Sequence, residues 1–490
     1  MKLRSFLLAV VLLCLPVSVQ ALGIDAKMVK QTLPNGIKVF IYHRDTSPTI
    51  SFYIGHKVGG VDGELTGAAH FLEHLLFKGT ANVGSLDFRQ EEKILQRVIA
   101  TGDALDEERA KGTDTKQIAQ LEKRLTELTE AHRQFYRASE LARIYIENGA
   151  TDFNASTGVD FTFYMVSLPK DKLELWARVE ADRRKNPLFR DFYAERSVVA
   201  QERVQRTESV PDGMLMELFL ATAFTAHPYR NPTVGWMDDI NALSHTYMRQ
   251  YFENFYAPQN TVIVLVGDVN APEALAVITR YLGDIPPRKV VRKNIVVEPL
   301  QRGEKRAELA LDANEKLYIG FHKPTYPHKD NYAFEIMENI LTSGRSSRLH
   351  RSLIERTNPL AQSVEAANGL PGVRYNNLFC IFATPLAAGK LENLEVAITD
   401  ELAQLAQNGI EEAELQKAKN SIRFNFFSRL ETNNGLASLL AYSATVFGDT
   451  ASLDHYLEEI EQVRTEDVQR VAREYLTKEN RTVVMIKREK

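Results

Sequence analysis

The chain has 490 residues, of which 44% are hydrophobic and 25% charged. That is an ordinary globular composition, which excludes a disordered or fibrous chain, and its length allows about three domains. A formal net charge of -4 at pH 7 leaves no basic surface that would call for nucleic acid.

At the N-terminus, Lys2 and Arg4 precede an apolar run from Phe6 to Val19 that Pro16 interrupts. Small residues Val19 and Ala21 stand where a signal peptidase needs them, so residues 1–21 read as a secretory signal peptide cut after Ala21. A membrane anchor fits less well, because the run is shorter than the ~20 residues of a span. A lipoprotein site at Cys14 is disfavoured by the bulky Leu13 before it. Cleavage would leave Cys380 alone, with no internal disulfide. No second long apolar run follows. The expectation is an exported protein without a membrane span, periplasmic or secreted.

"LPNGIKVFIYHR" and "TISFYIGHKVGG" predict two strands, with Asn35 and Gly36 turning into the first. "GAAHFLEHLLFKGT", Gly67 to Thr80, predicts a helix closed by Gly79. Residues 88–148 are charged and helical. Within them Ile118, Leu121, Leu125 and Leu128 form one apolar stripe, and "AKGTDT" suits the tip of a helical hairpin. The stripe is too short for a coiled-coil seam, so this segment reads as a helical insertion packed on the body. "FNASTGVDFTFYMVSLP" predicts two strands around a turn. Helices are expected over 170–184 and from 194 to about 206. "NTVIVLVGDV" reads as a buried strand, and "IPPRKVVRKN", from Ile285 to Asn294, marks an inter-domain linker over 286–302.

The chain then repeats itself. "INALSHTYMRQYFENFYAPQNTVIVLV" from Ile240 matches "IEQVRTEDVQRVAREYLTKENRTVVMI" from Ile460, setting Tyr251 on Val471, Phe255 on Tyr475 and Asn260 on Asn480. "HFLEHLLFKG" matches "EIMENILTSG", with Glu335 in place of His70 and Asn339 in place of His74. The expected fold is α+β: two duplicated α/β-sandwich-type domains, each an antiparallel-rich sheet with helices packed on it. The first covers 22–285 with the insertion at 88–148, and the second covers 303–490. Metal-type residues stand only in the first.

His70 and His74 lie four apart, on one face of a helix. Two imidazoles aimed at one point are half of a zinc site. Glu73 places a carboxylate beside that point, where it can take a proton from water. This is H-x-x-E-H, the reverse of the H-E-x-x-H peptidase motif. Two core histidines satisfied by carbonyls are the bland reading. Against it, an unpaired carboxylate among Phe71, Leu72, Leu75 and Leu76 costs several kcal/mol unless a cation compensates it.

A catalytic zinc takes three protein ligands and keeps one position open. "AERSVVAQERVQRTE" is the strongest source of the third. Glu195 and Glu202 lie two turns apart on one face, with Val198 and Val199 on the same side. A solvated helix with Glu–Arg pairs to Arg196, Arg203 and Arg206 explains the spacing equally well.

"HFLEHLLFKGT", "NASTGVDFTFY", "ERSVVAQE", "HPYRNPTVGW" and "FYAPQNTVIVLVGD" occur in the order found in the pitrilysin/insulinase zinc peptidases. Nearly the whole chain resembles that family, and most of all its processing-peptidase branch. The resemblance implies that His70, His74 and Glu202 hold one Zn2+, that Glu73 is the general base and that Glu195 is a supporting carboxylate. It implies that Asn154 and Ala155 lie on an edge strand where a peptide adds as a further strand. Two departures stand out. The gap between His74 and Glu202 is longer than usual, and the 88–148 insertion accounts for the excess. The Arg and Tyr with which the family's second domain holds the substrate carbonyl fall in "SLIERTNPLAQSV", at Ile354 and Gln362, with Arg351 and Arg356 as poor substitutes. Family members pair two such halves by fusion or as homo- or heterodimers. The expectation is therefore a zinc endopeptidase acting on peptides, dimeric, and possible as a heterodimer whose partner carries the Arg/Tyr pair. The alternative is a non-catalytic peptide-binding or scaffold subunit.

Overall fold

The structure, a computed structural model, describes residues 23–112, 114–387 and 390–489. The signal-peptide reading falls outside them. Strands β1 (Met28–Thr32), β2 (Lys38–His43), β3 (Thr49–His56), β4 (Thr151–Thr157), β5 (Thr162–Pro169) and β6 (Thr261–Gly267) form one sheet in the order β1-β2-β6-β3-β5-β4. Strands β7 (Lys305–Leu311), β8 (Lys316–Lys323), β9 (Ala361–Leu370), β10 (Asn377–Pro385) and β11 (Arg481–Arg488) form a second, ordered β7-β11-β8-β10-β9. In each, the last strand of its half enters the middle. There it runs parallel to one neighbour and antiparallel to the other, and every other pairing is antiparallel. The duplicated mixed fold expected from the sequence is present.

One pair of asparagines shows the repeat at the level of single bonds. Asn260 Nδ2 donates to Phe255 O (2.7 Å) and Lys57 O (3.3 Å), tying the preceding helix to the end of β3. Asn480 Nδ2 donates to Tyr475 O and His322 O (both 2.8 Å), tying the same two elements of the second half.

β6 is buried along its whole length, which requires cover on both faces. One face carries Ile263 and Leu265 against Trp176, Ala177 and Ile278 of its own half. The other carries Val262, Val264 and Val266 against Leu436, Ala437, Leu440 and Ala441, from helix Asn433–Tyr442 of the second half. The exchange is mutual. Helix Pro211–Ala223 of the first half lays Leu215, Phe219 and Leu220 on Tyr318, Cys380, Val484 and Ile486 of the second sheet. Two strand glycines mark these contacts. A Cβ at Gly320 would lie 2.5 Å from the Phe219 ring, and one at Gly55 would lie 2.3 Å from Thr445 Oγ1. Gly55 and Gly320 are equivalent under the offset that sets His70 on Glu335. Neither half can therefore bury its sheet without the other.

Residues 286–304 hold no helix or strand, but they are strapped down. The Glu298 carboxylate accepts from the N–H groups of Thr225, Ala226 and His227, and Asn254 brackets Val291.

The insertion is a helical hairpin, Phe88–Lys111 and Thr115–Arg133, followed by helix Glu140–Glu147. Asp87 caps the first helix by accepting from Gln90 N, and Asp114 caps the second by accepting from Lys116 N and Gln117 N. Gly112, at φ 65°, makes the turn between them. Leu128 is buried, and Ile118, Leu121 and Leu125 are half-buried.

One helix is shorter than the sequence suggested. It spans Ala68–Leu75 and does not run on to Gly79. Phe77 N and Lys78 N bond back to His74 O and Leu75 O, three residues away, which tightens the chain out of the helix. Gly79, at φ 83°, then turns it.

Candidate metal centre

Helix Ala68–Leu75 buries Phe71, Leu72 and Leu75 completely and leaves His70, Glu73 and His74 half-buried on its other side. Helix Phe192–Arg203 faces it, with Phe192 and Val199 packed into the same core as Phe71 and Leu72. His70 Nε2 stands 3.7 Å and His74 Nε2 stands 3.4 Å from Glu202 Oε2. A tetrahedral zinc with bonds of ~2.0–2.2 Å holds its donors about 3.3–3.5 Å apart. The donor atoms of all three side chains lie within 4.8 Å of one another, close to the spacing that one zinc requires. Among the described residues they are the only three His, Cys, Asp or Glu side chains so grouped.

The surroundings of the three agree with that use. His70 Nδ1 is buried with no hydrogen-bond partner. Burial, and then the neighbouring His74 and Arg206, push the His70 imidazole down to about 3, so it stands neutral, as a ligand must. His74 Nδ1 lies 3.4 Å from Glu195 Oε2, and Lys78 Nζ pairs with Glu195 Oε1. This is the carboxylate–histidine relay that fixes a ligand ring and its tautomer. Burial raises the Glu195 carboxyl, but His74 and Lys78 outweigh it and hold the group below its ordinary range. Arg206 Nη1 holds the other oxygen of Glu202 at 2.7 Å.

Glu73 is kept out of this set. Its Oε2 accepts from Thr157 Oγ1 at 2.5 Å. Burial raises its carboxyl above the usual range despite that bond and the nearby His74, in the direction a general base needs. Thr157 ends β4, the edge strand of the first sheet. Asn154 is exposed on that strand, and its carboxamide accepts from Ala155 N at 2.9 Å. An unpaired edge thus runs beside the candidate base.

The chain matches the family description "Insulinase (Peptidase family M16)" over residues 120–235 and "Peptidase M16 inactive domain" over residues 242–422. It belongs to the insulinase family, M16. A relative named "Zinc protease PqqE", from Helicobacter pylori, is 28% identical and spans 98% of this chain and 97% of its own. The crystal structure of a protease from Helicobacter pylori superposes with a TM-score of 0.79 at 26% identity, over 94% of this chain and 99% of that one. The periplasmic protease PqqL from Escherichia coli shares the fold at 16% identity and a TM-score of 0.70. This chain covers 95% of itself but 48% of PqqL, which is therefore about two such lengths.

The M16 match begins at residue 120, so it includes Glu195 and Glu202 but not His70, Glu73 and His74. The insertion separates the two parts in sequence, and the fold reunites them. At the positions of the missing Arg/Tyr pair, Ile354 is half-buried in the core of the second half and Gln362 is exposed on β9. Arg351 and Arg356 are both exposed.

One side chain departs from the sequence reading. Val199 is fully buried, but Val198 is 48% exposed, so the face bearing Glu195 and Glu202 is apolar only in part. Of the Glu–Arg pairs considered, only Glu202–Arg206 forms. Arg196 turns to Asp106 of the insertion and Arg203 to Glu208 and Glu217. Sequence reasoning missed Thr157 and Lys78. Thr157 closes the "NAST" stretch already singled out, so a hydroxyl one strand step from the edge was the available signal. Lys78, one turn beyond His74, gave no signal distinguishing it from a surface lysine.

Proposed function

We propose that this protein is a zinc-dependent endopeptidase that hydrolyses peptides or unfolded segments in an exported compartment. The reading rests on one observation: three donor atoms lie within 4.8 Å of one another while a fourth acid, Glu73, is held by Thr157. The names of the M16 relatives support it. His70, His74 and Glu202 would hold the ion, which supplies a Lewis acid that activates water and polarises a carbonyl. Glu73 would accept the proton of that water and pass it to the leaving nitrogen. Thr157 fixes one Glu73 oxygen and leaves the other free. Glu195 would keep His74 Nδ1 protonated, so that Nε2 presents its lone pair. Asn154 and Ala155 would pair with an extended substrate along β4, which reads main chain more than side chains.

Glu73→Gln tests the assignment. Peptide hydrolysis should vanish while about one zinc per chain is retained, because Glu73 is not a ligand. Unchanged turnover, or loss of the metal, would sink it.

Ile354 and Gln362 motivate a second element. We propose a dimer, with a related subunit supplying the cation and phenol that this second half lacks. PqqL has about twice this length, and its first half alone is matched by 95% of this chain. Hydrolysis by the lone chain at the rate of a reconstituted pair would refute the heterodimer. Residues 1–21 are assigned as the export signal, which N-terminal sequencing of the mature protein from its host would check.

A further inference from the structure

We propose that the junction of the two halves binds a multiply charged oxyanion of the phosphate type. A cleft of about 710 Å³ is lined by Lys57 and Asn260 from the first half, Arg288, Lys289 and Arg292 from the connecting strap, and Arg374 from the second half. Among the described residues, no carboxylate lines it. That volume suits a small charged ligand.

The cations there outnumber their counter-ions. Arg292 Nη1 and Arg374 Nη2 both reach Asp62 behind the cleft, the latter at 3.0 Å, and Arg374 Nε lies 3.9 Å from Asp160 Oδ1. Two carboxylates face five cations, an excess of three positive charges. Arg374 has a side chain only 7% exposed, and its Nε and Nη1 have no hydrogen-bond partner. Among the described residues, no carboxylate pairs with Lys57, Arg288 or Lys289. Burial, and then Arg374 and Arg292, hold the Lys57 ammonium below its ordinary value. A buried guanidinium such as Arg374, with two nitrogens unpaired, is costly unless an anion enters beside it. Lys57, Arg288 with Lys289, and Arg374 converge from three segments and select a compact ligand with several oxygens, while Arg292, already held by Asp62, Lys57 O and Asn260 Oδ1, lends its charge alone.

Such an anion would tie both halves and the strap together at one point. It would also bear on the loop that adjoins the strand holding the base. Lys57 opens the loop whose Gly60 N and Val61 N bond to Gly158 O and Val159 O, both at 3.0 Å. Gly158 follows Thr157, which holds Glu73.

Thermal unfolding and calorimetric titration of the full chain with inorganic pyrophosphate test the proposal against sodium chloride at matched ionic strength. A saturable rise in melting midpoint is expected with pyrophosphate. The affinity should fall about tenfold in Lys57→Gln and in the Arg288→Gln/Lys289→Gln double variant, since each removes a charge-assisted contact. Arg288 and Lys289 are exposed, so that variant keeps the fold. A shift no larger than that with chloride, or equal affinity in the variants, would overturn the site. So would tighter binding of a tetraglutamate peptide, or a fall in midpoint common to all variants, which reports only zinc withdrawal.

Discussion

Glu91 and Arg190 are both 0% exposed, and between them they decide how the insertion is joined to the metal centre. Arg190 Nε and Nη2 grip the Glu91 carboxylate, the second at 3.1 Å. The same guanidinium donates to the carbonyls of Lys78 (3.0 Å), Thr80 (2.7 Å) and Val83 (2.9 Å), in the turn that leaves the His70–His74 helix. His132 Nε2, at the end of the hairpin, lies 3.4 Å from Glu91 Oε1. Glu91→Ala strands a buried guanidinium, which costs about 3–5 kcal/mol. A second route gives the same size. Burial alone would raise the Glu91 carboxyl, but His132 and Arg190 prevail and hold it at about 2, against an ordinary 4.5. That gap corresponds to roughly 3 kcal/mol. The folded-state value is depressed, so this contribution is complete above pH 4.5 and is lost as pH falls from 4.5 through 2. Urea unfolding followed by tryptophan fluorescence should show Glu91→Ala less stable by about 3–5 kcal/mol at pH 7, with the difference closing towards pH 2. Glu91→Leu combined with Arg190→Met should recover most of the loss, because the charge and its partner leave together. A loss under about 1 kcal/mol at pH 7, or a difference that ignores pH, would refute the claim that this pair anchors the insertion.

Glu195→Gln weakens the acceptor for His74 Nδ1 and should lower zinc affinity about 10–100-fold in a chelator competition; unchanged affinity would show that Glu195 does not orient the ligand. Gly102→Ala places a Cβ 1.9 Å from Tyr193 Cζ. It should destabilise by about 1–3 kcal/mol and weaken zinc binding too, because Tyr193 begins the helix that carries Glu195 and Glu202; an unshifted thermal midpoint would argue against that brace. Glu338 is raised to about 7 from 4.5 by burial and then by Glu335. Ionising it therefore costs folding free energy that is absent below pH 4.5 and grows as pH rises towards 7, so Glu338→Gln should stabilise by up to about 3 kcal/mol at pH 8 and not at pH 4. Equal effects at both pH values would contradict this.

Much of the site was legible because its chemistry is written in a local period. His70, Glu73 and His74 fall on one helical face by spacing alone, and Glu195 and Glu202 do the same on another. Nothing in the sequence says that the two faces meet, because that depends on Phe71, Phe192 and Val199 sharing one core. The repeat was legible because Asn260 and Asn480 sit in equal frames, and the structure gives them equal bonds. The exchange of helices Pro211–Ala223 and Asn433–Tyr442 was not legible. Each is apolar enough to cover a sheet, and an apolar helix does not specify which sheet it covers. Gly55 and Gly320 carried a trace of the answer, since a glycine inside a strand marks close approach by something else. Val198 was misplaced for the opposite reason: helical periodicity gives an angle but not the width of the cover, and the cover stops short of it.

The second half shows what the histidines would bring to a metal centre. At the position equivalent to Glu73 it keeps a carboxylate, Glu338, and it adds another, Glu335, where the first half has His70. Both are raised, chiefly by burial. Tyr456 donates to Glu335, the backbone N–H of Asn368 donates to Glu338 at 3.1 Å, and Asn339, in the place of His74, donates to Ser421 at 3.1 Å. The same helix thus meets the same problem, buried acid, with protein donors and protons. Two acids without imidazoles offer a cation no neutral ligand, and burial works against their charged forms. In the first half, neutral His70 and the Glu195-braced His74 would offer an ion two uncharged nitrogens, and Glu202 has Arg206 as partner. Replacing His70 by Glu and His74 by Asn should therefore convert the first centre into the state of the second, folded and metal-free, which zinc titration and thermal unfolding of the double variant would check.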